Sequence, residues 1–348
     1  MHGGNIYSHK IEYDFSVNLN PFMPDDTVLK AFRGCETVIG KYPETDSKRL
    51  IRKIAAKLSE NKSSEVFEKM ITVTAGASEA ISVIANAVRP DVGVIFEPAF
   101  SGYERALTGH GTKELMHLLT LNEYIKTNAC ENDKDKTGIV FLASPSNPSG
   151  IMTSKEDIKE VYRKCVNNHS FLVLDECFIN LSNHPENTMV AEAASAPEYY
   201  RNLIILRSFT KTYSIPGIRL GYIICTNELI NDHIRNLLPE WNISSVACEV
   251  GAACLDAEPG VTEDYLVSEK EYMYSELDKL NIKYHKSDSI YFLIESDKRL
   301  YEELLKKRIL IRDCSDYYGL SNGTYRIAVK TRKENEILIK AIGEIYGK

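Results

Sequence analysis

From about Arg49 to Ile224, short apolar runs alternate with longer amphipathic segments, and no other feature restricts the fold of this chain so strongly. Short apolar runs separated by helical segments make a mostly parallel sheet covered by helices. The expected strands are Ile71–Thr74, Val92–Phe96, Gly138–Leu142, Ser170–Leu174, Asn202–Leu206 and Gly221–Cys225. The residues with chemical character fall at their carboxyl ends. Ligands of open α/β sheets bind in the crevice beyond those ends.

After Cys225 the pattern changes. Glu263–Leu280 reads as one long helix. Tyr291–Ile294, Ile309–Arg312 and Tyr325–Val329 read as short strands, with helices at Lys298–Lys307 and Lys333–Tyr346. That is an α+β arrangement. A chain of 348 residues suits one large domain plus a smaller one. The expected division is an N-terminal arm over 1–30 packing with the small domain, a large domain over 31–240 and a small C-terminal domain over 241–348. Thr127–Thr137, rich in Asn, Asp and Lys, reads as a surface loop.

The net charge of −7 is spread without a basic stripe, so neither nucleic acid nor an anionic membrane is an expected partner. The eight cysteines form no CxxC pair and no metal-ligand spacing with histidine. They read as reduced thiols of a cytoplasmic protein, and no metal is expected. No apolar run is long enough to cross a bilayer, and the N-terminus lacks the charged-then-apolar order of a signal peptide.

Lys211 lies in Ser208-Phe209-Thr210-Lys211-Thr212-Tyr213-Ser214-Ile215-Pro216-Gly217-Ile218-Arg219-Leu220-Gly221-Tyr222, among hydroxyls and eight residues before an arginine. A lysine that condenses with an aldehyde needs a desolvated site, because burial favours the neutral, nucleophilic amine. Hydroxyls and an arginine suit a phosphate. Ala75-Gly76-Ala77-Ser78-Glu79-Ala80 follows an expected strand and opens a helix, where small residues let backbone amides approach a phosphate. Asp175 ends the apolar run Phe171–Leu174, and Asn147 lies in Ser146-Asn147-Pro148-Ser149-Gly150. Arg326 sits on an expected strand among apolar neighbours, an unfavourable place for an unpaired guanidinium.

Together these motifs resemble fold-type-I pyridoxal-phosphate (PLP) enzymes of the class I/II aminotransferase superfamily. In wording they are nearest the histidinol-phosphate aminotransferase and threonine-phosphate decarboxylase branch. The resemblance covers nearly the whole chain and implies the PLP-dependent transferase fold, an α/β large domain with a small α+β domain. It implies that Lys211 carries PLP as a Schiff base. It further implies that Gly76, Ala77, Ser78, Ser208, Thr210 and Arg219 hold the cofactor phosphate. Asp175 would pair with the pyridine nitrogen, keeping it protonated so the ring accepts electrons from the substrate. Asn147 would meet the ring hydroxyl and Tyr103 would stack on the ring face. Tyr42 would reach the phosphate of a neighbouring subunit, which makes a homodimer with shared active sites.

Arg326 would hold the substrate carboxylate with its planar fork, and Arg312 is a second anion contact. His2, in His2-Gly3-Gly4-Asn5, and Asn20, in Asp14-Phe15-Ser16-Val17-Asn18-Leu19-Asn20-Pro21, resemble the arm that closes over the substrate in threonine-phosphate decarboxylases. Trp241-Asn242 also resembles that branch. Two departures stand against it. The arm motifs are closely spaced, and Phe22-Met23-Pro24 replaces the usual Gly-Pro. Phe178 departs from the other side, since histidinol-phosphate aminotransferases usually carry tyrosine there.

The resulting expectation is an aminotransferase acting on a small amino acid, phosphorylated or not. The alternatives are a threonine-phosphate decarboxylase-like enzyme of the cobalamin-pathway type and a non-catalytic PLP-binding sensor. Such a sensor is found, for example, fused to a DNA-binding helix-turn-helix, and no such added domain is expected ahead of the arm.

Overall fold

The computed structural model describes residues 3–59, 64–127 and 136–347. Seven strands form the large sheet in the order Ile71–Thr74, Gly221–Cys225, Leu203–Ser208, Ser170–Asp175, Gly138–Ala143, Val92–Phe96, Glu114–Leu118. All run parallel except Gly221–Cys225, which is antiparallel to both neighbours. The central strands are apolar on both faces, as a sheet sandwiched between helices requires. Their residues alternate between two cores. Ile139, Phe141, Val173, Ile204, Leu206 and Ile223 enter one core. Val140, Leu142, Leu172, Leu174, Leu203, Ile205 and Ile224 enter the other. The first core runs on into the C-terminal region through Leu277, Phe292, Ile327 and Leu338.

The six expected strands of the large sheet are present, and Glu114–Leu118 is added at its edge. That strand is paired on one side only and mixes Glu and His with Leu and Met, so it carries no continuous apolar run. A second sheet has the order Arg312–Asp313, Thr324–Ala328, Tyr291–Glu295, Lys283–His285. Its three-residue edge strand, Lys283–His285, was also not expected. The long helix Glu263–Leu280 is observed as expected, capped by Thr262, whose side chain accepts from the Tyr265 N–H, and closed by Asn281 at φ 60°.

The expected strand Ile309–Arg312 is two strands. Ile309–Leu310 pairs in parallel with Tyr13–Asp14 of the arm, whereas Arg312–Asp313 pairs with Thr324–Ala328. One segment thus serves two partners, and the break falls at Ile311. The helix Ser245–Cys254 buries Ala247, Val250 and Cys254 in the second core of the large sheet. Residues 245–254, expected in the small domain, thus pack with the large sheet. Most of the expected loop 127–137 lies outside the described residues. Among the described residues no helix is long and apolar enough to cross a membrane, no cluster of metal ligands occurs, and seven cysteines are buried free thiols.

Candidate active site

A cavity of about 530 Å³ opens where the carboxyl ends of the large sheet meet the second sheet and the arm. Strand register brings its parts together. Asp175 lies opposite Ala143 on one side and Leu206 on the other, so the loops after these three strands share one rim. Lys211 stands on the short helix Phe209–Thr212 that follows Leu203–Ser208. Burial holds its ammonium below the usual lysine value. The Arg219 and Arg326 cations reinforce this, and the Asp175 carboxylate opposes it. Burial and the Asp175 charge keep Cys177 a protonated thiol.

On one side of Lys211 is a cradle for a phosphate. Ala77 and Ser78 open the helix Ala77–Val88 into the cavity, with Ser208, Thr210 and Arg219 facing them. Gly76 precedes the helix at φ +85°, and a Cβ there would lie 2.7 Å from Arg219 Nη2. Glycine lets the guanidinium close over the helix end, whose free amides and positive dipole favour an anion. Glu79 braces the turn by accepting from the Ala75 N–H at 2.6 Å and from Asn242 Nδ2 at 3.1 Å. The Asn242 amide also donates to Val73 O, which gives the Trp241-Asn242 pair a structural task. These residues fit the phosphate of PLP.

Asp175 fits the ring nitrogen. Its Oδ1 accepts from the Cys177 N–H at 2.9 Å and its Oδ2 from the Tyr103 hydroxyl at 2.6 Å. Tyr103 was expected to offer its ring face to the cofactor. It lines the cavity but is 1 % exposed, with one face of its ring stacked on Phe141 at a centroid distance of 4.8 Å. Phe100, edge-on to Tyr103, also lines the cavity.

Arg326 is 5 % exposed on Thr324–Ala328. Its Nη1 donates to Asn147 Oδ1 and its Nη2 to Ser16 O at 2.6 Å, while its Nε is buried without a partner. A buried donor without an acceptor fits a ligand carboxylate. Arg312, opposite Arg326 in the ladder, also lines the cavity, but both oxygens of Asp316 engage its Nη2 at 2.8 and 3.0 Å. Phe178 lines the cavity, with the Lys211 amine 6.0 Å from its ring centre.

Lys211, Asp175, Asn147, Arg326, Arg312, Ala77, Ser78, Ser208, Thr210, Arg219 and Tyr103 thus share one cavity, and Gly76 shapes it. Asn20 does not enter it. The Asn20 amide donates to Thr212 O and Pro259 O at 2.8 and 2.6 Å, and its Oδ1 accepts from the Phe22 N–H, so every polar atom of the side chain is used. Its N–H also donates to Lys211 O at 3.0 Å, so Asn20 fastens the arm to the lysine turn. Of the two asparagines it is Asn18 that lines the cavity, beside Gly3, Ser16 and Val17; it is 5 % exposed, with a buried Oδ1 that has no partner. Tyr42 is 81 % exposed and packs on Trp241 at 4.8 Å, outside the cavity. His2 lies outside the described residues. Sequence reasoning missed Ser16, Asn18, Phe100 and Arg105 at the cavity. Asn18 and Asn20, two apart in an extended arm, present the same local signal.

Comparison with known proteins covers the whole site. The family model for "Aminotransferase class I and II" matches residues 10–342. The chain is 28 % identical to the threonine-phosphate decarboxylase of Salmonella typhimurium over 99 % of this chain and 96 % of that one. It is 28 % identical, over 99 % of its length, to an adenosylcobalamin biosynthesis bifunctional protein of Leptospira interrogans, of whose length it spans 41 %. The crystal structure of the histidinol-phosphate aminotransferase from Clostridium acetobutylicum superposes with a TM-score of 0.82 at 25 % identity, covering 97 % of this chain and 99 % of that one.

Proposed function

We propose, from the premise that this chain belongs to the class I and II aminotransferase family, that it is an aminotransferase acting on a small amino acid, phosphorylated or not. Members of the family use pyridoxal 5′-phosphate. When bound, this cofactor supplies an aldehyde for amines and a protonated ring that takes up electrons from the substrate α-carbon. The observation that carries the reading is the convergence of Lys211, Asp175, Asn147 and Arg326 on one cavity.

Each residue then has a task. Ala77, Ser78, Ser208, Thr210 and Arg219 bind the phosphate. Asp175 accepts the ring N–H, and its negative charge keeps that proton in place. Arg326 binds the substrate carboxylate. Because Arg326 is bonded to Asn147, the carboxylate is anchored on the Asn147 side of the cavity. Transamination requires the α-hydrogen, and not the carboxylate, to be turned toward Lys211. The Lys211 amine, whose hold on its own proton burial weakens, takes that proton from the α-carbon. We assign Tyr42, exposed beside Trp241, to the site of a second subunit. An active monomer in light scattering contradicts that assignment.

A second reading, decarboxylation, is favoured by Phe178, which brings no hydroxyl to the place where the aminotransferases of this branch usually carry tyrosine. It requires the C–COO⁻ bond, not C–H, to face the ring's electrons. Single-turnover reaction with phosphothreonine, phosphoserine, histidinol phosphate and a panel of amino acids separates the two. Conversion of the cofactor to its amine form without CO₂ supports transamination. CO₂ release with the starting absorbance regained supports decarboxylation. No change with any donor returns the non-catalytic sensor.

A further inference from the structure

The Asp175 carboxylate is pinned at both oxygens, and one pin comes from a side chain. The Cys177 N–H and the Tyr103 hydroxyl each take one oxygen, the latter at 2.6 Å. A carboxylate has about four lone-pair positions, so each oxygen keeps one for a further donor. The carboxylate torsion of aspartate is otherwise broad, and two donors fix its plane. Tyr103 is itself immobilised, with its ring stacked on Phe141 and the Phe100 edge against it at 5.9 Å.

We infer that Tyr103 is a positioning residue that acts through Asp175, setting the orientation and proton affinity of the carboxylate that faces the cofactor ring. The inference rests on the PLP reading of the cavity. Burial first, and then the Asp175 charge, raise the Tyr103 pKa well above the usual tyrosine value, so the hydroxyl remains a donor at any working pH. Cys177 and Tyr291 are the other titratable groups that face it, and both are themselves raised by burial. A short O–H···O⁻ bond draws charge from the carboxylate and makes it a weaker base. Loss of the hydroxyl strands Oδ2 in a buried site, strengthens Asp175 as a base, and draws the ring proton toward it. The ring then carries less positive charge and accepts electrons less well.

The test is Tyr103→Phe, which retains the ring and its packing, studied as the PLP-loaded enzyme beside wild type. The expected results are an upward shift of about one pH unit in the midpoint of the cofactor's visible absorbance and a fall of about tenfold in kcat. KM for the amino donor should change less than about twofold, and the effects should vanish when Asp175→Asn is the background. Thermal unfolding of both proteins monitors packing. A wild-type midpoint and wild-type kcat in cofactor-loaded Tyr103→Phe overturn the inference and leave the PLP reading standing. Equal effects of Tyr103→Phe in both backgrounds overturn the route through Asp175. A wild-type protein that takes up no PLP removes the PLP reading, and the inference with it.

Discussion

Arg326, on the second sheet, and Asn147, in the turn that follows Gly138–Ala143 of the large sheet, hold one another through Nη1 and Oδ1. Arg326 Nη2 also fastens the arm at Ser16 O, so one guanidinium joins both sheets and the N-terminal arm. Arg326→Lys keeps the charge and loses the fork. Steady-state kinetics should show KM for the amino donor rising roughly 10- to 100-fold, with a smaller change in kcat. An unchanged KM would remove Arg326 from the substrate site.

Gly76→Ala adds a Cβ 2.7 Å from Arg219 Nη2 at φ +85°, where side chains are disfavoured. The strain of about 1–3 kcal/mol falls on the phosphate cradle. Equilibrium dialysis should find PLP affinity lowered about tenfold or more. The secondary-structure content by circular dichroism should be unchanged.

Asn18 Oδ1 is buried without a partner at the cavity wall. Asn18→Ala removes that orphan, so the free protein should be at least as stable in thermal unfolding. If the oxygen meets a donor on the substrate, KM should rise about five- to tenfold. An unchanged KM assigns Asn18 to the wall alone.

Lys270 is 2 % exposed and donates to Asn183 Oδ1 at 2.8 Å and Ser287 O at 2.7 Å. Burial lowers its pKa to about 8, with Asp288 opposing. The unfolded chain holds this proton up to about pH 10.4. Between pH 8 and 10 the unfolded state therefore binds more protons than the folded one, and the Lys270 contribution to stability rises with pH. Relative to Lys270→Met, wild type should gain about 3 kcal/mol across the full window from pH 8 to 10.4. Parallel pH profiles in chemical denaturation would contradict this.

Much of the fold can be read from the sequence because the central strands are buried on both faces and leave continuous apolar runs. Glu114–Leu118 and Lys283–His285 escape that reading because each lies at a sheet edge and includes charged residues. Lys211, Asp175, Asn147 and Arg326 can be read because each ends or follows an apolar run, or interrupts one with charge. The direction of a side chain is harder. Phe100 and Tyr103 are three residues apart, and only the helix Gly102–Gly109 turns Tyr103 inward to Phe141 and Asp175. Asn18 and Asn20 are separated by what the folded arm meets, the cavity for one and the backbone at Thr212 and Pro259 for the other.

Every role assigned at the cavity depends on Lys211 carrying the cofactor. Borohydride reduction of the PLP-loaded protein, followed by peptide mass spectrometry, tests it most directly. A single pyridoxyl-phosphate group is expected on the Lys211 peptide of wild type. In Lys211→Ala no label is expected, with PLP still held reversibly by the phosphate cradle and Asp175. A label on another lysine, or undiminished labelling and turnover in Lys211→Ala, would contradict it.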